Sequence, residues 1–111
     1  MKIHRDKQGA VLVVRPEGRL DATSADEMTQ ALLAAFDGGD ERIVVDLSGL
    51  EYISSAGLRS LLVGAKRAST EGGKIVLSRP EDYIKEVFDA AGFSAIFSIY
   101  PTTEEAVTAF R

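Results

Sequence analysis

A change of period that recurs along the chain constrains its fold more than any other feature. Three short runs rich in β-branched residues, Ala10–Arg15 (AVLVVR), Arg42–Leu47 (RIVVDL) and Lys74–Ser78 (KIVLS), read as strands. Arg42–Leu47 is nearly continuously apolar, as strands covered on both faces of a parallel sheet are. Between and after these runs, the apolar residues recur every three or four positions. Met28, Ala31, Leu32, Ala35 and Phe36 make one such stripe; Leu58, Leu61, Leu62 and Ala65 make a second; Ile84, Val87, Phe88 and Ala91 make a third. Each stripe covers one face of an amphipathic helix. Strand periods alternating with helix periods imply an α/β sheet with a parallel portion and helices packed on it.

Punctuation residues set the boundaries. Lys2–Arg5, a turn at Lys7, Gln8 and Gly9, and Ala10–Arg15 predict an N-terminal hairpin. Pro16 and Gly18 are expected to loosen the chain before Leu20. Ser24 with Glu27, and Thr102 with Glu105, have the spacing of a capping box, in which each side chain serves an orphan N–H at a helix start. Asp37–Asp40 and the Gly72–Gly73 pair close the first two helices. Pro80 is expected at the first position of the third helix, and Gly92 just beyond its end. Ala95–Ile99 (AIFSI) predicts the last strand, and Ala106, Val107 and Phe110 dock the last helix. No linker, repeat or low-complexity tract divides the 111 residues, so residues 1–111 are expected to form one domain.

Several chemistries are excluded by composition. The chain has no cysteine, which removes disulfides, thiolate metal sites and cysteine nucleophiles. A formal charge of −4 argues against a nucleic-acid footprint or a polybasic membrane patch. Met1–Gly9 carries charges where a signal peptide needs an apolar segment, so none is expected. No apolar run approaches the roughly 20 residues that span a bilayer. A small acidic protein of the cytoplasm is the expectation. His4, the single histidine, has no partner in the sequence pattern for acid–base work. The acid pairs Asp40–Glu41, Glu81–Asp82 and Glu104–Glu105 fall at turns or first helical turns, where they complement the helix dipole. The glycines match no phosphate-cradling motif, and Lys66 with Arg67 is too few charges for a nucleic-acid surface. No metal site, cofactor or enzyme site is predicted.

One segment departs from this plain pattern. After Arg42–Leu47 comes Ser48–Ile53, then Ser54, Ser55, Ala56, Gly57, Leu58 and Arg59. In open α/β sheets, ligands and partners meet the loops at the carboxyl ends of strands. Serine at a helix start is a preferred N-cap, stabilising by about 1 kcal/mol. It is also suited to phosphorylation, because free amides and the positive end of the dipole receive an anion there. A phosphate adds about −1.5 to −2 charges, enough to reject a docked partner.

Ile43–Leu62 (IVVDLSGLEYISSAGLRSLL) resembles the signature of the STAS domain family. VRPEGRLDATSADEM resembles that family's second strand, its Gly18–Asp21 (GRLD) turn and the start of its first helix. GGKIVLS and AAGFSAIF resemble its C-terminal third. The likeness spans nearly the whole chain, and without transporter spans it is closest to the stand-alone bacterial anti-sigma factor antagonists. It implies a mixed sheet of four or five strands, with about four helices mainly on one face. It also implies a protein that catalyses nothing and regulates transcription by partner switching. The partner would be an anti-sigma-type serine kinase, released when the antagonist is phosphorylated, with a metal-dependent serine phosphatase to reset it. The family's acceptor serine stands two positions before the Gly57–Leu58 pair, which is Ser55. An aspartate often precedes the acceptor, and here Ser54 stands instead, making Ser54 the second choice. Asp21 matches the motif aspartate beside the acceptor loop. The implied contact surface is Asp21, Ser54, Ser55, Ala56, Gly57 and Arg59. Two other readings stay open: an unphosphorylated scaffold subunit of a membrane lipid transporter or signalling assembly, and a small-molecule sensor.

Overall fold

The computed structural model describes residues 1–111. Strand β1 (Lys2–Gln8) turns through Gly9 and Ala10 into β2 (Val11–Leu20), the two paired antiparallel from Lys2↔Glu17 to Gln8↔Val11. Gly9 takes φ +63°, which a two-residue hairpin turn requires and glycine supplies without strain. Helix α1 (Ala25–Asp37) leads to β3 (Arg42–Asp46), β4 (Leu50–Ile53) and α2 (Ser55–Thr70). The chain then runs through β5 (Lys74–Ser78), α3 (Asp82–Ala90), a single 3₁₀ turn (Phe93–Ala95), β6 (Ile99–Tyr100) and α4 (Thr103–Thr108). The sheet order is β1-β2-β3-β5-β6, parallel except for β1, with β4 pairing the far end of β2.

Strand alternation divides the apolar residues between two faces. Leu12, Val14, Ile43, Val45, Ile75 and Leu77 face α1, α2 and α3, and with Met28, Leu32, Leu61, Ile84 and Phe88 they make the main core. Val11, Val13, Val44 and Val76 face the other way and meet Ala106 and Val107 of α4, with Tyr100 and Phe110 packed at the edge. This is why β3 reads as a continuous apolar run: both of its faces are covered, and those of β5 are covered likewise. Gly64 lets α2 lie close on α1, since a Cβ there would stand 2.7 Å from Leu32 Cδ1.

The sheet is mixed, and three of the four helices lie on one face, as the resemblance implies. Four boundaries differ from the sequence expectation. Strand β2 does not loosen at Pro16 but continues to Leu20. Its parallel partners are β3 up to Val14 and β4 from Gly18, so Pro16 falls in the gap between them, where no parallel neighbour needs its missing N–H. Part of the Ser48–Ile53 segment is a strand, β4. Pro80 lies outside α3, whose cap residue is Glu81, and Ala91 is exposed at its end. In the AIFSI segment Ala95 ends the 3₁₀ turn, Ile96–Ser98 are turn and loop, and only Ile99 enters a strand, with Tyr100 after it. The Phe93 ring stacks between those of Phe88 and Phe97, which bends the chain inward before it can extend.

Candidate functional site

The pairing of β2 with β4 brings two distant segments together. Leu20 and Ile53 are partners in parallel strands, so Asp21 and Ser54 leave the sheet side by side. The Ser54 N–H donates to the Leu20 carbonyl at 2.9 Å, fixing the start of α2 against the end of β2. Gly57 completes the contact. It is buried, and a Cβ there would stand 2.7 Å from Leu20 O, 2.8 Å from Leu20 Cγ and 2.9 Å from Ile53 Cγ1. Its contribution is therefore close packing, which sets the depth at which α2 begins.

The two serines at this start do different things. Ser54 is the N-cap, with extended backbone (φ −99°, ψ 175°), and its Oγ accepts from the Gly57 N–H at 3.3 Å. Ser55 is the first helical residue and is exposed, and its hydroxyl takes no hydrogen bond within the chain. Its N–H and that of Ala56 precede the first intrahelical bond, Leu58 N–H to Ser54 O at 2.9 Å. No acidic residue occupies the first turn, so the positive end of the dipole is not neutralised locally. Arg59 is exposed four positions on from Ser55, one turn along the same face.

Asp21 is held in a tight local network. One carboxyl oxygen accepts from the Thr23 N–H at 2.9 Å and from the Thr23 hydroxyl at 2.6 Å. These bonds, with Arg19 Nε 3.7 Å from the other oxygen, hold the carboxyl below the usual aspartate value. Arg19 also lies over the Tyr52 ring, 4.3 Å from its centroid, across the Arg19↔Tyr52 pair of β2 and β4. The surface around the α2 start is thus ordered by cross-strand contacts.

The Ser24–Glu27 capping box does not form. Ser24 is 6% exposed, and its hydroxyl donates to the Arg19 carbonyl at 2.8 Å and accepts from the Asp21 N–H at 3.1 Å. Turned inward to tie the GRLD turn, that hydroxyl cannot serve the helix. The Thr102 cap does form, accepting from the Glu105 N–H at 3.1 Å. Arg67 binds Asp37 of α1 and Glu71 of its own helix, which raises its pKa further. His4 bonds Glu17 at 2.6 Å, a contact that lowers the Glu17 pKa.

The structure thus brings Asp21, Ser54, Ser55, Ala56 and Arg59 to one end of the sheet and buries Gly57 beneath them. Sequence reasoning missed Arg19 and Tyr52, because it did not see the strand that pairs them. The alternation Leu50, Glu51, Tyr52, Ile53 was the available signal, in a run of only four residues.

A family model for the STAS domain matches residues 2–106. A candidate anti-sigma factor antagonist of Bordetella bronchiseptica, BtrV, is 37% identical over 111 residues, covering all of this chain and 96% of its own length. A structure of a candidate anti-sigma factor antagonist from Thermotoga maritima superposes with a TM-score of 0.91 at 23% identity, over 96% of this chain and 92% of that one. The phosphorylated form of the Bacillus cell-fate determinant SpoIIAA superposes with a TM-score of 0.76 at 21% identity, over 99% of this chain and all of that one.

Proposed function

This chain belongs to the STAS domain family, and we propose that it acts there as an anti-sigma factor antagonist whose single domain, residues 1–111, is a phosphorylation-controlled partner switch. In this reading the unphosphorylated protein docks on an anti-sigma-type serine kinase in the cytoplasm and frees the regulator that the kinase holds. The kinase then phosphorylates Ser55, the complex parts, and a metal-dependent serine phosphatase restores the first state. The protein catalyses nothing itself; ATP and magnesium belong to the kinase.

The observation that carries this reading is the division of labour between the two serines. Ser54 is occupied as a cap, which leaves the Ser55 hydroxyl exposed and free at the positive end of α2. A phosphate on Ser55 would sit well with the dipole, so the fold would tolerate it. The docked partner would not: an added dianion in a desolvated contact, without a cation to meet it, costs several kcal/mol. Asp21 and Arg59 border the same surface and are the contact residues we assign, with Ala56 between them. That a structural relative has been solved in a phosphorylated form agrees with the reading.

The test is a capture from lysate of the source organism with wild type and Ser55→Glu as parallel baits. Recovery of a serine kinase by wild type alone is the expected result. Equal recovery of one partner by both baits, a transporter component above all, would replace the switch with a constitutive scaffold.

A further inference from the structure

The face of the sheet that α4 covers only in part carries a cleft of about 610 Å³, between the start of α4 and the β1–β2 hairpin. Val13 is the single hydrophobic residue of its lining, and the His4 imidazole is the one ring that borders it. Asp46, at the carboxyl end of β3, forms part of the lining while only 5% exposed. One of its oxygens accepts from the Ser48 N–H at 3.0 Å. The other has no hydrogen-bond donor within the chain: Arg79 Nη1 stands 3.8 Å away, too far for a hydrogen bond. That oxygen is not sealed off from solvent: it opens onto the cleft and can take a donor from there.

Arg79 is unusual in its own right. It is the only residue other than glycine with positive φ, at 54°, a conformation that side-chain-bearing residues seldom adopt. Glycine holds such a φ at five positions of this chain and would relax this one as well. Strain of this kind collects at binding sites, where the side chain is worth more than the relaxed backbone. Arg15, from β2, borders the same cleft.

We propose that this cleft binds a sugar phosphate. Arg15 and Arg79 present guanidinium forks, the geometry that suits phosphate oxygens. The open Asp46 oxygen accepts from a sugar hydroxyl, replacing the donor that the chain does not supply. The polar lining disfavours an acyl chain, and with no ring but the His4 imidazole, which Glu17 already engages, a nucleobase gains little stacking there. The volume lies within the range of small-ligand sites. The lining shares no residue with the Ser55 surface, so this inference stands or falls apart from the proposed switch.

Titration calorimetry on the full chain with ribose 5-phosphate and glucose 6-phosphate tests it. The expected result is binding of at least one of the two, with glucose silent and inorganic phosphate weaker by about tenfold or more. Asp46→Asn keeps an oxygen for the Ser48 N–H and so keeps the fold, yet it should weaken binding by about tenfold or more, as loss of a charge-assisted bond does. Arg79→Gly should lose binding as well while raising the thermal midpoint, because the strain is gone. Silence from both sugar phosphates at millimolar concentration would overturn the proposal. So would inorganic phosphate binding as tightly as either, guanosine monophosphate binding more tightly than ribose 5-phosphate, unchanged binding by the two variants, or a lowered midpoint for Arg79→Gly.

Discussion

Helices α1 and α2 start at neighbouring points of the sheet, each after a strand of the β2–β4 pair, and each has a serine at its cap position. At α1 the Ser24 hydroxyl turns inward, donating to Arg19 O and accepting from Asp21 N–H, and the helix is left without a side-chain cap. At α2 the Ser54 hydroxyl caps Gly57 N–H, and a second serine, Ser55, is left over and exposed. One start stores its serine in the fold, and the other offers one to the outside. The difference follows from local backbone. Ser24 has φ −121° and ψ −6°, away from the extended conformation that directs a cap hydroxyl at the helix, whereas Ser54 has it.

Four substitutions should break or sharpen that contrast, in decreasing order of effect on stability. Gly57→Ala adds a Cβ where the Leu20 carbonyl, a backbone atom, stands 2.7 Å away, so the better helix propensity of alanine cannot win. Chemical denaturation should show a loss of about 1–3 kcal/mol. Ser24→Ala strips partners from two backbone groups of the GRLD turn and should cost a similar or slightly smaller amount, about 1–2 kcal/mol, with a changed Asp21 amide resonance. Ser54→Ala removes only the cap and should cost about 1 kcal/mol. Ser55→Ala should lie within about 0.5 kcal/mol of wild type, because its side chain bonds to nothing. If Ser55→Ala proved more costly than Ser54→Ala, the two serines would have been assigned in the wrong order.

The smallest effect concerns pH. The Thr23 bonds hold the Asp21 carboxyl below its ordinary value of 3.8. A lowered carboxyl contributes stability that is complete above the unfolded-state pKa and disappears as pH falls through the folded-state one. The Asp21 share is therefore constant near neutrality and lost only in acid below that ordinary value. Thr23→Ala should move the Asp21 titration, followed by carboxyl NMR, up toward it. An unchanged titration would place the cause in the Thr23 N–H, which the variant keeps, or in Arg19 and Ser24.

How much of this could be read in the sequence follows from the range of the interactions. The stripes of α1, α2 and α3, and the covered strands β3 and β5, were legible because burial writes a period directly into the chain. The start of α2 at Ser55 was legible for the same reason, and the assignment of Ser55 over Ser54 as acceptor came from the GL pair of the family motif. What escaped detection depends on pairing between distant segments. The β2–β4 ladder, which carries Arg19 onto Tyr52 and Asp21 beside Ser54, joins residues more than thirty positions apart through a four-residue strand. The Ser24–Glu27 spacing was a true capping-box pattern that lost to a nearby turn with two unpaired backbone groups of its own. The AIFSI segment has strand composition, and three stacked phenylalanines override it. Arg79 announces nothing in sequence; only its backbone conformation sets it apart.

The central claim is that Ser55 is the residue whose phosphorylation parts the complex. The direct measurement is to incubate the purified protein with its captured kinase and magnesium–ATP, then to map the phosphate by mass spectrometry while following the complex by calorimetry. The account predicts one phosphate, on Ser55, with affinity falling about 100-fold or more, equivalent to ~3 kcal/mol, and the same loss in Ser55→Glu. A phosphate on Ser54, or a complex as tight after modification as before, would contradict it.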